Sequence, residues 1–174
     1  MSETLTTPVG SLDHQLGKPG ATITLVEYGD YQCSHCGEAH PLIKRLMKEF
    51  SNEVVFVFRN FPLDSHPEAM IAAQAAEAAA LQNKFWEMHD LIFEQQDQLS
   101  ESNLIYFAES LDLNLEQFEN DWNNQNVLSK IESDIESGVR SDVTGTPTFF
   151  IDDERLETYD ETYESLVAAI RNAE

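Results

Sequence analysis

From His66 to about Arg140 the sequence carries helical pattern and no convincing strand, although strand pattern stands on both sides of that stretch. Ahead of it, Ala21 to Tyr28 sets Ile23 and Leu25 against threonines, the alternation of a strand. From Ser34 to about Phe50 the period turns helical, with Leu42, Ile43, Leu46, Met47 and Phe50 three and four residues apart. Val54-Val55-Phe56-Val57-Phe58 then reads as a strand buried on both faces. Strand, helix and strand joined by short links form a βαβ unit and predict parallel pairing. Strand character returns only at Thr148-Phe149-Phe150-Ile151, after which 156–159 can pair back as a hairpin. A fold of this kind must be an α/β frame split by an all-helical insertion. The divisions expected are an arm over 1–20, frame over 21–64, helices over 65–142 and frame again over 143–174.

Within the insertion, Pro67 suits a helix's first turn, and the alanines from Ala69 to Ala80 allow close packing. Phe85 to Phe93 marks a second helix, and Leu104, Phe107, Ala108 and Leu111 a third. Asn114 with Gln117 has the spacing of a capping box ahead of Phe118 and Trp122. Val127, Ile131, Ile135 and Val139 repeat every four residues along one more amphipathic helix. Asp160 is the expected cap of a last helix carrying Tyr163, Leu166, Val167 and Ile170.

Charge narrows the partners. Ten Lys and Arg against 32 Asp and Glu leave a formal net charge of -22. Such a surface repels phosphate backbones and anionic lipid headgroups, so neither nucleic acid nor a membrane surface is expected. No stretch is apolar enough to insert in a bilayer. The opening Met1 to Pro8 has no basic head or apolar run, so the chain as it stands reads as cytoplasmic, and as periplasmic if a signal has been removed.

The chemistry concentrates at Cys33-Ser34-His35-Cys36, which holds both cysteines of the chain. A bridge closing so small a loop constrains the unfolded chain little, so the pair serves chemistry before stability. At the start of a helix, free N–H groups and the positive end of the dipole favour a thiolate at Cys33 and lower its pKa below the free value of about 8.5. Cys36, one turn further in, is placed to attack a mixed disulfide. His35 can donate a hydrogen bond or positive charge to the sulfur. As half of a zinc site the pair would need two more ligands from His14, His35, His40, His66 and His89. Glu27, six residues before Cys33, reads either as a desolvated acid exchanging protons with Cys36 or as a solvated acid at a strand end. Pro41 should bend its helix. Thr146-Pro147 opens a strand, and a cis bond there would free the Thr146 backbone to pair with an extended peptide.

Taken together, Glu27 to Cys36, His40-Pro41, His66-Pro67-Glu68-Ala69, Phe85-Trp86-Glu87-Met88-His89 and Gly145 to Phe150 resemble the DsbA-like branch of the thioredoxin superfamily. The resemblance runs over nearly all of the chain after about Leu16. It implies a thioredoxin fold with a helical insertion, a catalytic Cys33, a resolving Cys36 and a cis Pro147 facing them. It further implies that Glu27 is the buried proton-handling acid, and that Ser34, Thr146 and Pro147 meet the substrate. Cysteine-containing proteins would be the substrates, with a protein or glutathione as redox partner and no cofactor. The family usually has Pro where this chain has Ser34, which leaves the turn less rigid and one more N–H free. Two other readings remain: a kappa-type glutathione-dependent isomerase or transferase, which does not depend on a C-x-x-C pair, and a binding module that holds a metal through the cysteines or is redox-silent.

Overall fold

The computed structural model describes residues 4–174. The first three residues of the expected arm lie outside that range. Five strands form one sheet in the order β1-β3-β2-β4-β5: β1 (His14–Gly17), β2 (Ile23–Gly29), β3 (Val54–Asn60), β4 (Thr148–Ile151) and β5 (Glu154–Arg155). β2 runs parallel to β3 with Ile23 opposite Val54, joined through α1 (Ser34–Glu49) as the βαβ pattern predicts. β4 pairs antiparallel to the other side of β2, which brings Phe149 opposite Glu27.

Alternation along the strands sends side chains to two cores. Ile23, Leu25, Phe56, Phe58 and Phe149 face α1, α7 (Tyr163–Asn172) and most of the helical insertion. Val26, Tyr28, Val55, Val57 and Phe150 face the opposite side, where Leu5, Phe61 and Val143 complete a smaller core. The insertion consists of α2 (Ala69–Ala80), α3 (Phe85–Glu94), α4 (Glu101–Ser110), α5 (Leu115–Trp122) and α6 (Gln125–Arg140).

Several local expectations are corrected. The stretch expected to be a lead-in loop contributes an edge strand, because β1 pairs antiparallel with β3. Asp13 anchors it through two bonds of 2.9 and 3.0 Å to the buried Arg59 guanidinium. The four-residue repeat in α6 does not stay on one face. A step of four residues overshoots the helical period by about 40°, so three steps turn the stripe by about 120°. Val127 and Ile131 are buried, but burial then passes to Asp134, Ser137 and Gly138, and Val139 is exposed. The late hairpin turns within Asp152-Asp153, both at positive φ (47° and 72°), so Glu154 and Arg155 are already strand. The cap of α7 is Thr162, which accepts from the Ser165 N–H, while Asp160 braces the Thr162 N–H from behind. Asn114 caps α5 by accepting from the Gln117 N–H, but its own N–H goes to Gln82 Oε1, so only half of the capping box forms. Pro67 stands just ahead of α2, and α1 runs uninterrupted through Pro41.

Candidate active site

Cys33 is the N-cap of α1, in extended conformation (φ -70°, ψ 122°) and with no side-chain cap of its own. Asp30 fixes the approach to it. One Asp30 carboxylate oxygen accepts from Gln32 N–H at 2.7 Å and Cys33 N–H at 3.1 Å, and the other from Leu63 N–H and His66 Nδ1, both at 2.8 Å. This is an Asx turn feeding a helix, so the chain leaves β2 and enters α1 in one tight step.

Both cysteines are free thiols and both are buried, Cys36 completely. Their acidities are driven apart. Hydrogen bonding from the Cys36 thiol is the main cause that lowers Cys33 to about 5, against the opposing effect of burial. The Thr146 hydroxyl and the N–H groups of Cys36 and His35 add to it. As a neutral thiol Cys33 donates to the Thr146 carbonyl at 3.5 Å, and the Thr146 hydroxyl, buried without another partner, can turn its hydrogen toward a thiolate. Cys36 is pushed far the other way, by burial first, then by Cys33 and by the charge of Glu27. The pair thus joins a readily ionised thiol to one that keeps its proton.

Glu27 lies on β2 between Phe58 of β3 and Phe149 of β4, almost wholly buried, with Oε1 unpartnered. Burial, reinforced by negative charge on Cys33, raises it to about 8. Gly29 makes this packing possible. A Cβ there would come within 2.4 Å of the Phe58 ring and 2.9 Å of Glu27 Oε1. Glu27 is therefore desolvated and not a solvated acid at a strand end.

The peptide bond between Thr146 and Pro147 is cis. Thr146, Pro147, His35, Tyr159, Asp160 and Glu161 line an open groove of about 420 Å³ beside Cys33. His35 departs from expectation: its side chain is exposed and its Nδ1 pairs with Glu161 Oε1 at 2.7 Å. What it offers the sulfur is its main-chain N–H. Ser34, the first residue of α1, is exposed. The larger cavity, about 520 Å³, lies between the N-terminal segment and α6 and touches none of these residues.

Among the described residues, no grouping of three ligand-type side chains includes Cys33 or Cys36. His40, His89 and Asp90 bring one ligand atom each within 4.8 Å of one another. A tetrahedral zinc site needs edges of about 3.3 Å, given bonds of about 2.0 Å. The other Asp90 oxygen already holds the Lys44 ammonium at 2.8 Å, which repels a cation.

Two contributors escape a reading of motifs. Asp30 carries a visible signal, an Asx residue two and three positions before the N–H groups it binds. Gln96 carries none, because its contacts with Tyr31 and Cys33 span more than sixty residues.

A family model described as thioredoxin matches residues 11–172. Among solved structures, BdbD from Bacillus subtilis superposes with a TM-score of 0.85 at 24% identity, covering 99% of this chain and 96% of that one. A thioredoxin-like oxidoreductase from Silicibacter pomeroyi gives 0.84 at 26% identity, over 94% and 93%. The Wolbachia pipientis protein alpha-DsbA1 gives 0.80 at 23% identity, over 99% and 96%. A curated relative named Na(+)/H(+) antiporter NhaA 1, from Salinispora arenicola, is 42% identical over 92% of this chain but only 24% of its own length. The chain therefore spans about a quarter of the length of that relative. With the redox turn, the cis-proline loop and the helical insertion all in place, the chain belongs to the thioredoxin family and has its DsbA-like fold.

Proposed function

We propose that this chain is a protein thiol–disulfide oxidoreductase that works best as a disulfide donor. The observation that carries the reading is the opposed acidity of Cys33 and Cys36 at a helix N-terminus, the first held near 5 and the second pushed up. A stabilised thiolate stabilises the dithiol form, so the disulfide form is the more oxidising.

In the donor direction a substrate thiolate attacks Cys33 Sγ of the oxidised pair. The Cys33–Cys36 bond breaks, and Cys36 leaves as a thiolate that takes the proton held by Glu27, whose burial favours the protonated form. A second substrate thiolate then attacks the substrate sulfur of the mixed disulfide and expels Cys33, a good leaving group because its thiolate is stable. Two electrons pass from the substrate dithiol to the cysteine pair, and a redox partner, a protein or glutathione, takes them on. Thr146 and Pro147 border the groove where an extended substrate would lie, and Ser34, exposed next to Cys33 in the chain, would meet it there. In a compartment kept reduced by glutathione the same steps run backwards.

The oxidoreductase named among the similar structures, at 26% identity, supports this class. The antiport in the curated relative's name belongs to a protein about four times longer than the stretch matched. Among the described residues, no helix of this chain is long and apolar enough to cross a membrane.

Trapping tests the assignment. Cys36→Ser, which cannot resolve a mixed disulfide, is expected to accumulate covalent adducts with thiol proteins, and Cys33→Ser none. Adducts on the Cys33→Ser protein, or none on either, refute the proposed roles.

A further inference from the structure

Both backbone polar groups of Cys33 are held from outside the redox turn. The N–H points to the Asp30 carbonyl and carboxylate, each at 3.1 Å. The carbonyl accepts from the Gly37 N–H at 3.0 Å, closing the first turn of α1, and from the Gln96 side-chain amide at 2.6 Å. The same amide nitrogen donates to the Tyr31 carbonyl at 2.9 Å. Gln96 stands between α3 and α4, so a residue of the helical insertion grips the nucleophile's own peptide unit. Gly37 makes room for it. A Cβ there would lie 2.2 Å from Gln96 Oε1, and its three nearest atoms all belong to Gln96. Glycine in place of alanine in a helix costs about 1 kcal/mol, a cost met here by keeping the amide in reach.

We propose that Gln96 is a positioning residue for Cys33, fixing the Cys33 carbonyl and thereby the direction in which Sγ faces the N–H groups of His35 and Cys36. It rests on the dithiol–disulfide reading and deepens it by making the insertion part of the nucleophile's support. The physical link is the Cys33 ψ torsion. The sulfur and the first turn of α1 lie on opposite sides of that rotation, so swinging the carbonyl swings the helix N–H groups relative to the sulfur. With one lone pair taken by the Gly37 N–H and the other by the Gln96 amide, the Cys33 carbonyl has one orientation. Without Gln96 the Asp30 contacts still form the turn, but the sulfur's bearing on its donors spreads.

A double-mutant cycle on the full chain tests this, with the pH midpoint of Cys33 alkylation and the glutathione equilibrium as readouts. Gln96→Ala is expected to raise the midpoint by about one unit and make the disulfide about tenfold less oxidising, the loss of part of a charge-assisted hydrogen-bond set. Gly37→Ala is expected to do the same, because its methyl displaces the amide. The double variant should be no worse than Gln96→Ala alone, since the three atoms nearest the methyl, all of the Gln96 amide, are then gone. Thermal unfolding of each variant separates a purely structural role. A lowered Tm with an unmoved midpoint overturns the inference, as do strictly additive shifts. An ordinary thiol midpoint in the unaltered protein overturns the dithiol reading itself, and this inference with it.

Discussion

Replacing Cys36 isolates the interaction that most lowers the acidity of Cys33. The hydrogen bond from the Cys36 thiol heads the causes that hold Cys33 at about 5. A hydrogen bond to a charged group contributes about 1.5–3 kcal/mol, and one pKa unit corresponds to about 1.4 kcal/mol. Cys36→Ala should therefore move Cys33 up by about one to two units, whereas Cys36→Ser keeps a hydroxyl donor at the same place and should move it by less than about one. Alkylation by iodoacetamide reads this, and the full pH profile is needed. At pH 7 a thiol of pKa about 5 is nearly all ionised and one of about 8.5 only about 3% ionised, a roughly 30-fold advantage. Nucleophilicity falls with pKa at a slope of about 0.4–0.5, and over about 3.5 units that offsets almost the whole advantage. At pH 5 the ionised fractions differ by roughly 1,600-fold, and a net advantage of about 40-fold remains. Identical midpoints in the Ala and Ser variants refute the thiol hydrogen bond as the main cause. A Cys36→Ser midpoint near 8.5 refutes the helix-terminus argument as well.

Glu27→Gln should change how stability depends on pH. Folding raises the Glu27 pKa from about 4.3 to about 8, so its contribution is fully present below about 4.3 and is lost as pH rises to about 8. The variant should match the parent near pH 4 and exceed it at pH 8.5 by several kcal/mol, with about 5 as the upper bound, in denaturant unfolding; a gap that does not grow with pH refutes the buried acid. The same variant should also slow resolution of a mixed disulfide by Cys36 by about 100-fold or more in stopped-flow exchange, if Glu27 moves the proton. His35→Ala keeps the main-chain N–H and should leave the Cys33 alkylation midpoint within about half a unit of the parent, whereas a rise of more than one unit would place the imidazole, not the backbone, beside the sulfur.

What could be read in the sequence was what is local along the chain. The pattern of β2, α1 and β3 is written in consecutive residues, and so is the placement of Cys33 at a helix start. The arm reads as a loop because strand β1 has no apolar alternation of its own. His14-Gln15-Leu16-Gly17 is extended because β3 offers it an edge and Asp13 is drawn to a buried guanidinium, the latter 46 residues away. In α6 the local pattern itself misled, because a repeat of four and a period of 3.6 part company within three turns. Glu27 stayed open between two readings for the same reason of distance. Whether a strand-end acid meets water depends on its neighbours, and one of them, Phe149 of β4, arrives from beyond the whole helical insertion.

The site shows the same division between local and distant, with a chemical consequence. Read as side chains, Cys33-Ser34-His35-Cys36 gives the stabilising role to the imidazole, yet that ring is exposed and held by Glu161. The stabilising groups are a thiol, a hydroxyl from the cis-proline loop and two main-chain N–H groups. Main-chain donors depend on the path of the backbone, which Asp30 and Gln96 hold at either side of Cys33. Ser34 in place of the family's usual proline therefore leaves the donors at His35 and Cys36 intact. What it removes is a ring that would have stiffened the turn from within, and in this chain stiffness comes from the side chains that bind the turn from outside.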